Sequence, residues 1–297
     1  MRASRYILIV LVAVAVALLL WFFRPMPPSG LKGGLYSHAY LAGKIQVCHL
    51  WDKPLTDILS SFPETAGSLS SIPFFLRPLF PPMAELYLFS SKGGGGWVMA
   101  VDLGWRSRLF KALHGVIMRQ IQYRGFGAVE GENTVRTPSG QKFLVYQDAG
   151  TLFVAAGESL SQKIPGSAGD SGAGLSPELS PDKDILFLSF SNKEMAFEKA
   201  VKDLEEEIGF LLLPSAGSLT DGRLMLKYAG DNSLAAELIL GVRDGGDMEG
   251  VEGDAGYLLD LLDRALSTYD LKTGRTIRRE GNKIMAQMIV HLNGGKQ

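Results

Sequence analysis

The longest uninterrupted apolar stretch of the chain lies near its amino terminus. Residues Tyr6 to Phe23 carry no charge, and Arg2, Arg5 and Arg24 flank them. At about 1.5 Å of rise per residue, a helix of this length measures about 27 Å, which is close to the ~30 Å hydrocarbon thickness of a bilayer. The pattern therefore predicts a transmembrane helix over residues 6–23, preceded by a cytoplasmic tail of residues 1–5.

Retention of this segment as a signal anchor is favoured over its cleavage, although cleavage stays open. A secretory signal peptide has a shorter apolar stretch that ends at a small-x-small cleavage site. Here the stretch ends in Trp21, Phe22 and Phe23, and prolines follow at positions 25, 27 and 28. Because Arg2 and Arg5 lie on the amino-terminal side, the positive-inside rule predicts that this end stays inside, and we expect a single-pass protein of the bacterial inner membrane. Its amino terminus is then cytoplasmic and its bulk periplasmic or extracellular.

Beyond a neck linker of residues 24–43, strand and helix patterns occur twice in the same order. The first module, residues 44–160, begins with a predicted strand at Lys44–Trp51 and a short helix. The second module, residues 184–292, begins with a strand at Asp184–Phe190 and a helix at Lys193–Phe210. A Gly/Ser/Pro-rich linker of residues 161–183 separates the two modules, and a short tail of residues 293–297 ends the chain.

The two modules continue in parallel with a hairpin, an amphipathic helix and a second hairpin. The predicted hairpins are Glu85–Phe89 with Trp97–Leu103, Lys142–Gln147 with Thr151–Gly157, Arg223–Tyr228 with Leu234–Leu240, and Thr276–Glu280 with Lys283–His291. The predicted core faces of the two helices are Trp105, Leu109, Leu113 and Val116, and Tyr257, Leu261, Ala265 and Tyr269. The predicted fold class is α+β: an N-terminal transmembrane helix followed by two tandem strand-helix-hairpin-helix-hairpin modules with antiparallel sheets.

This order of apolar span, proline-rich neck and paired modules resembles bacterial single-pass envelope proteins of the domain-of-unknown-function type. The phrase Leu152-Phe153-Val154-Ala155-Ala156-Gly157 is typical of them. The resemblance implies a place in the cell envelope. It assigns no functional residue, because that class has no settled activity.

Composition and charge indicate an ordinary folded domain. Hydrophobic residues make up 46% of the chain and charged residues 21%, which lies within the globular range. The formal net charge of −1 lacks the basic excess that nucleic-acid binding needs. Lys92 precedes the glycines at 93–96, whereas a phosphate-binding loop places its lysine after them. We therefore predict no nucleic acid, no nucleotide and no cofactor. Cys48, the single cysteine, is predicted to be a buried small hydrophobe.

A run of acidic residues is the best candidate site for a metal ion. Asp244, Asp247, Glu249, Glu252 and Asp254 lie in a glycine-rich segment between a predicted strand and a predicted helix. Calcium takes 6–8 oxygen ligands, and closely spaced carboxylates can supply several of them. Asp254 could instead cap the following helix, and a solvated loop is the general alternative.

Two further motifs have structural interpretations that outweigh the functional ones. Gly169-Asp170-Ser171-Gly172 is similar to the nucleophile turn of trypsin-like serine proteases, yet it falls in the linker without a histidine in the matching setting. The stretch Pro73–Met83 could form an apolar patch for a lipid or a partner. Its counterpart Phe210–Pro214 occurs at the same point of the second module, which favours a core role for both.

The sequence contains no recognisable group of nucleophile, base and orienting residue. It favours a membrane-anchored extracytoplasmic protein with a non-catalytic binding or structural role in the cell envelope. The expected partner is a lipid or an envelope protein. The alternative is an envelope hydrolase whose site is assembled from residues distant in sequence, which a deep pocket with a histidine and a carboxylate in contact would favour.

Overall fold

In the computed structural model, twelve strands form one continuous antiparallel sheet. The structure describes residues 24–52, 55–56, 77, 80–89, 96–123, 128–130, 133–138, 140–156, 183–192, 195–208, 213–230, 233–267 and 271–291. The strands are β1 (Leu41–Gln46), β2 (Met83–Phe89), β3 (Gly96–Asp102), β4 (Ala128–Glu130), β5 (Thr134–Arg136), β6 (Lys142–Asp148), β7 (Thr151–Ala156), β8 (Asp184–Ser191), β9 (Leu219–Gly230), β10 (Ser233–Val242), β11 (Lys272–Glu280) and β12 (Lys283–His291). The α-helices are α1 (Leu31–His38), α2 (Arg106–Tyr123), α3 (Ala196–Ile208) and α4 (Met248–Ser267), and short 3-10 helices lie at Val47–Trp51 and Ala216–Ser218.

The two halves of the chain have the same strand order, and they meet at an antiparallel pair. The order across the sheet is β11-β12-β10-β9-β8-β1-β2-β3-β7-β6-β5-β4. At the junction, Leu41 of β1 lies opposite Phe190 of β8, and Ile45 lies opposite Leu186. Moving outward from this pair, the second half has the order β8, β9, β10, β12, β11. The first half has the matching order β1, β2, β3, β7, β6, and β5 and β4 extend it further. β3 and β10 therefore occupy equivalent positions, and α2 and α4 are the helices that follow them.

The predicted fold class is wrong in two respects. The sheet is one continuous structure rather than two modular sheets, because β1 and β8 each offer an open edge that the other pairs with. Among the residues that the structure describes, no helix is long and apolar enough to cross a membrane. The description of this part of the chain as a signal-anchored, single-pass transmembrane protein is therefore also wrong. The predicted span Tyr6–Phe23 lies outside the described residues, as do most of the linker at 161–183 and the tail at 293–297.

Several local predictions also need correction. The predicted strand Lys44–Trp51 ends at Gln46, and a 3-10 helix follows it. Cys48 lies in that helix with its side chain exposed, so the prediction of a buried cysteine is wrong. The strands β4 and β5 were not predicted, because three residues are too few to show an alternating pattern.

The larger hydrophobic core lies under α3 and α4 in the second half. The period of 3.6 residues per turn places Val251, Ala255 and Leu259 on one side of α4, and all three are buried. They pack against alternate residues of the neighbouring strands. The strand members of this core include Leu234 and Leu240 of β10 and Ile284, Ala286, Met288 and Val290 of β12.

A smaller core lies on the opposite face of the sheet in the first half. There α1 contributes Leu35, which is buried against alternate residues of the first-half strands, namely Ala42, Tyr87, Val98, Ala100, Phe153 and Ala155. Register shows that the faces are opposite. Residues that pair directly across strands lie on the same face, and successive residues of one strand lie on opposite faces. Ala42 of the smaller core pairs with Ser189 of β8, whereas Ala286 of the larger core is linked through successive cross-strand pairs to Leu188, the residue before Ser189.

The predicted core faces of both long helices are wrong. In α4 the predicted residue Tyr257 is 45% exposed, and the buried positions are those named above. In α2 the predicted residues Leu113 and Val116 are 41% and 55% exposed, whereas Ser107 and Met118 are buried. Periodicity identifies an apolar side of a helix, but α2 carries apolar residues on more than one side, and periodicity alone does not select the side that packs.

The predicted neck linker is a packed segment, which we call the strap (residues 24–38). It contains α1 and is held by a buried charged network. In this network Lys32 Nζ lies 3.2 Å from Glu85 Oε1 and 2.7 Å from Asp102 Oδ2, and Lys44 Nζ lies 3.4 Å from Glu85 Oε1. The Tyr87 hydroxyl also donates to Glu85, and burial, followed by the charge of Glu85, raises the pKa of Tyr87.

Candidate functional site

A pocket of about 320 Å³ lies where the strap, the first turns of α2 and the β6–β7 turn converge. This volume is at the lower end of the ~300–1,000 Å³ typical of small-molecule sites. Its lining residues come from segments that are far apart in sequence. They are Met26, Ser107, Arg108, Phe110, Lys111, His114, Asn133, Tyr146, Gln147 and Ala149.

Backbone hydrogen bonds hold the three segments together at the pocket. Leu103 N donates to Gly150 O at 2.8 Å, and Gly150 N donates to Pro27 O at 2.8 Å. Met26 N donates to Gly104 O at 3.4 Å. Gly104 has φ of +55°, a left-handed conformation that glycine adopts without a steric penalty, and it turns the chain from β3 into α2. The pocket wall is therefore built from the backbone of a strap, a turn and a helix start.

The first two turns of α2 supply one side of the pocket. Ser107, Phe110, Lys111 and His114 follow the i, i+3, i+4, i+7 spacing that places residues on one side of a helix. The buried Ser107 hydroxyl donates to Gly104 O at 2.8 Å, which fixes the first turn of the helix. This side of α2 is therefore held in a defined position relative to the β6–β7 turn.

The charge in the pocket is positive. Arg108 and Lys111 are among the ten lining residues, and none of those ten is an aspartate or a glutamate. Tyr146 stacks on the buried Phe153 with ring centroids 5.0 Å apart. Burial, followed by the charge of Asp148, raises the pKa of Tyr146, so its hydroxyl keeps its proton and remains a donor. Two cations and a neutral donor make this a site for an acceptor-rich, anionic group.

Three buried polar atoms of the pocket lack a hydrogen-bond partner within the described part of the chain. They are His114 Nε2, Tyr146 OH and Gln147 Oε1. A buried polar group left unpaired costs about 1–3 kcal/mol, so native proteins rarely retain several of them together. Their concentration at one pocket indicates that a bound molecule supplies the missing partners.

Replacement of Tyr146 by Phe tests this interpretation in the absence of any ligand. The change removes the unpaired hydroxyl and keeps the ring on Phe153. We expect the free energy of unfolding to stay the same or to rise by up to about 1 kcal/mol, because a buried group without a partner is lost. Urea unfolding of the purified protein measures the difference. A loss of more than about 1 kcal/mol would mean that the hydroxyl has a partner in the folded protein.

A histidine–carboxylate contact does occur, but it lies outside the pocket at the junction of the two halves. His49 Nδ1 lies 2.5 Å from Asp52 Oδ2, and the Tyr228 hydroxyl donates to the same oxygen at 3.1 Å. The pKa of the neighbouring Cys48 thiol is raised by partial desolvation and then by the charge of Asp52, which disfavours the thiolate. The cluster can orient an imidazole, but it does not activate the cysteine as a nucleophile.

The predicted acidic site lies at the start of α4, and three of its carboxylates have protein partners. Asp247 Oδ1 accepts from Gly250 N at 2.8 Å and caps the helix, a role that the sequence had offered to Asp254. Asp254 Oδ2 accepts from Ser215 N at 2.7 Å, and Glu252 Oε2 accepts from Arg279 at 2.9 Å. Within the described ranges, no three His, Cys, Asp or Glu side chains form a group that could hold a metal ion. Calcium binding at Asp244, Asp247, Glu249, Glu252 and Asp254 stays a prediction.

Few features of the sequence indicated the pocket. His114 was one of four scattered histidines, and Arg108 and Lys111 belonged to a helix whose other side was predicted to face the core. A usable signal existed in α2, whose 18 residues include four basic residues and no acidic ones. The Gly169–Gly172 motif and most of Pro73–Met83 lie outside the described residues.

Comparisons with known proteins identify no family for the chain. No protein-family model matches it, and no curated protein matches it. Among solved structures, it is similar to one described as the structure of crystal form I of TP0453. That similarity has a TM-score of 0.41 and 13% sequence identity, and it covers 87% of this chain and 92% of the other. At this TM-score the similarity supports no inference about function.

Proposed function

We propose that the protein is a non-catalytic binding protein that holds a small anionic ligand in the pocket between the strap, α2 and the β6–β7 turn. The observation that carries the proposal is the coincidence of two cations with three buried, unpartnered polar atoms at one cavity. The periplasmic or extracellular location, the likeness to envelope proteins and a lipid or envelope-protein partner stay predictions from the sequence.

The chemistry of the lining defines the class of ligand. Arg108 and Lys111 favour a carboxylate or a phosphate, and an arginine guanidinium can bind either in a bidentate manner. Tyr146 donates a hydrogen bond to an acceptor, while Gln147 Oε1 accepts one from a donor such as a hydroxyl. Phe110 and Met26 add apolar surface. A small molecule with one anionic group, a hydroxyl and an apolar portion satisfies all of these residues.

Replacement of Arg108 by Ala tests the proposal. We expect about 10- to 100-fold weaker binding of an anionic probe, because a hydrogen bond to a charged group contributes about 1.5–3 kcal/mol. Isothermal titration calorimetry with inorganic phosphate, phenyl phosphate and benzoate measures the change. Phenyl phosphate and benzoate separate the two anionic groups, and inorganic phosphate shows what the apolar portion contributes.

Arg119→Ala is the matched control, because Arg119 lies on the same helix, is exposed and does not line the pocket. It should leave probe binding unchanged, and circular dichroism should show that both variants are folded. Equal weakening by the two variants would mean that the net charge of α2, and not the pocket, attracts the anion. Failure of every probe to bind would contradict the proposed ligand class.

The alternative is a hydrolase, and the contact between His49 and Asp52 is the observation that favours it. Tyr228 comes from the second half of the chain and His49 from the first, as expected of a site assembled from distant residues. Turnover of an ester probe that is lost in His49→Ala and kept in His114→Ala would support this alternative.

A further inference from the structure

The apolar side of α2 faces away from the protein. Leu109, Leu113, Val116 and Tyr123 follow the i, i+4, i+7, i+14 spacing that places residues on one side of a helix, and we call them the outer stripe. Leu113, Val116 and Tyr123 are 41%, 55% and 87% exposed. The opposite side of the helix carries the buried Ser107 and Met118 and the pocket residue His114. A helix that packs on one side and keeps apolar residues on the other has a second surface to cover.

The arginines and lysine of α2 give the helix that carries the outer stripe a positive charge. Among its 18 residues α2 contains Arg106, Arg108, Lys111 and Arg119, and it contains no aspartate or glutamate. Arg119 is exposed on one flank of the stripe, and helical spacing places Arg106 on the other flank, whereas Lys111 lies on the pocket side. A helix with an apolar stripe and cationic flanks is typical of segments that lie in the interface of an anionic membrane.

The equivalent helix of the second half has the opposite character. α4 contains five acidic residues and one basic residue. Its apolar residues Val251, Ala255 and Leu259 are buried in the core, and Arg275 and Arg279 of β11 pair with two of its acids. The same place in the topology is therefore occupied in one half by a helix whose central apolar residues are buried, and in the other by a helix that leaves Leu113, Val116 and Tyr123 exposed.

We infer that the outer stripe of α2 docks into the interface of a membrane that contains anionic lipid. Leu113 and Val116 enter the acyl boundary, and Arg119 contacts the lipid headgroups. A second copy of the chain fits this surface less well. Pairing two α2 helices through this stripe brings together cations with no acid from either helix, and two acids of a neighbouring α4 are already bound to arginines. The inference does not depend on the small-ligand pocket.

A fluorescent reporter on α2 tests the docking in the chain of residues 1–297. In a Cys48→Ser background, Val116→Cys is labelled with an environment-sensitive dye, and Leu262→Cys on α4 is the matched control. The two positions are 55% and 51% exposed. The labelled proteins are reconstituted with phosphatidylcholine vesicles or with vesicles that also contain phosphatidylglycerol. Both labelled variants contain residues 1–297. Any contact that residues 1–23 make with the vesicles therefore affects the two samples alike.

We expect the dye at position 116 to shift to shorter wavelength and to be quenched by nitroxide-labelled lipids only when phosphatidylglycerol is present. The dye at position 262 should not respond. Arg119→Glu should weaken this docking about tenfold, because each cation near an anionic surface contributes measurably to binding, and high salt should weaken it as well.

Three results would overturn the inference. The dye at position 116 could remain exposed in anionic vesicles, or it could respond equally in both lipid mixtures, which would exclude recognition of charge. It could also shift without vesicles as the protein concentration rises, which would assign the surface to a second copy of the chain. Circular dichroism of each variant separates these outcomes from misfolding.

Discussion

Glu85→Ala should lower the free energy of unfolding by about 3–5 kcal/mol, the loss expected when one partner of a buried ion pair is removed. The Glu85 side chain is 4% exposed, and it accepts from Lys32, Lys44 and Tyr87. Without the carboxylate, two ammonium groups would share a largely buried site in which Asp102 still pairs with Lys32. Urea unfolding at neutral pH measures the loss as a lower midpoint.

Glu237→Ala is the matched control for this effect. Glu237 also lies in a strand and pairs with Lys227 at 2.7 Å, but both side chains are 33% exposed. A pair that water can reach contributes about 0–1 kcal/mol. Equal losses in the two variants would show that the network under α1 is no more protected from solvent than an ordinary surface pair.

Gly150→Ala should release the strap from the β6–β7 turn and lower the free energy of unfolding by about 2–3 kcal/mol, as overpacking of a tight contact does. A Cβ atom at this position would lie 2.5 Å from Met26 O and 2.6 Å from Pro27 O. Both are backbone atoms, so a rotamer change cannot relieve the clash. Because Met26 lines the pocket, binding of an anionic probe should weaken together with stability.

The same substitution at Gly115 separates this clash from the general effect of adding a methyl group. Gly115 lies within α2, and nothing approaches its added Cβ within 4 Å. Gly115→Ala should stabilise the protein by about 0.5–1 kcal/mol, because alanine favours the helix. Hydrogen exchange of the strap amides should rise in Gly150→Ala alone. Unchanged exchange there would show that the strap can move without losing its contacts.

Local patterns predicted the positions of most strands but not how the halves join. Alternation of apolar residues located Glu85–Phe89 within β2, and it located Trp97–Leu103 one residue out of step with β3. The pairing of Leu41 with Phe190 has no local signal, since it depends on two strand edges that are distant in sequence. Glu85 occupies a polar position of an alternating strand, which usually faces water. Only the packing of α1 shows that this face is covered.

The pocket was hidden for a different physical reason. Prolines and glycines near Met26 indicated a linker, whereas backbone hydrogen bonds fix that segment against Gly104 and Gly150. In α2 the clearest apolar pattern was the stripe of Leu109, Leu113 and Val116, and this stripe was predicted to pack against the core. That choice placed His114 on the wrong side. A sequence shows how apolar one face of a helix is, but it does not show whether that face packs against the core or remains exposed.

The seam between β1 and β8 also matters while the chain is being synthesised. β1 emerges from the ribosome well before β8 exists, so its edge toward β8 has no intramolecular partner during that interval. Closing a long loop costs more entropy than closing the hairpins within each half, which delays this pairing further. An open edge is a template for another chain. The strand pair that unites the finished sheet is thus the place where two nascent chains are most exposed to pairing with each other.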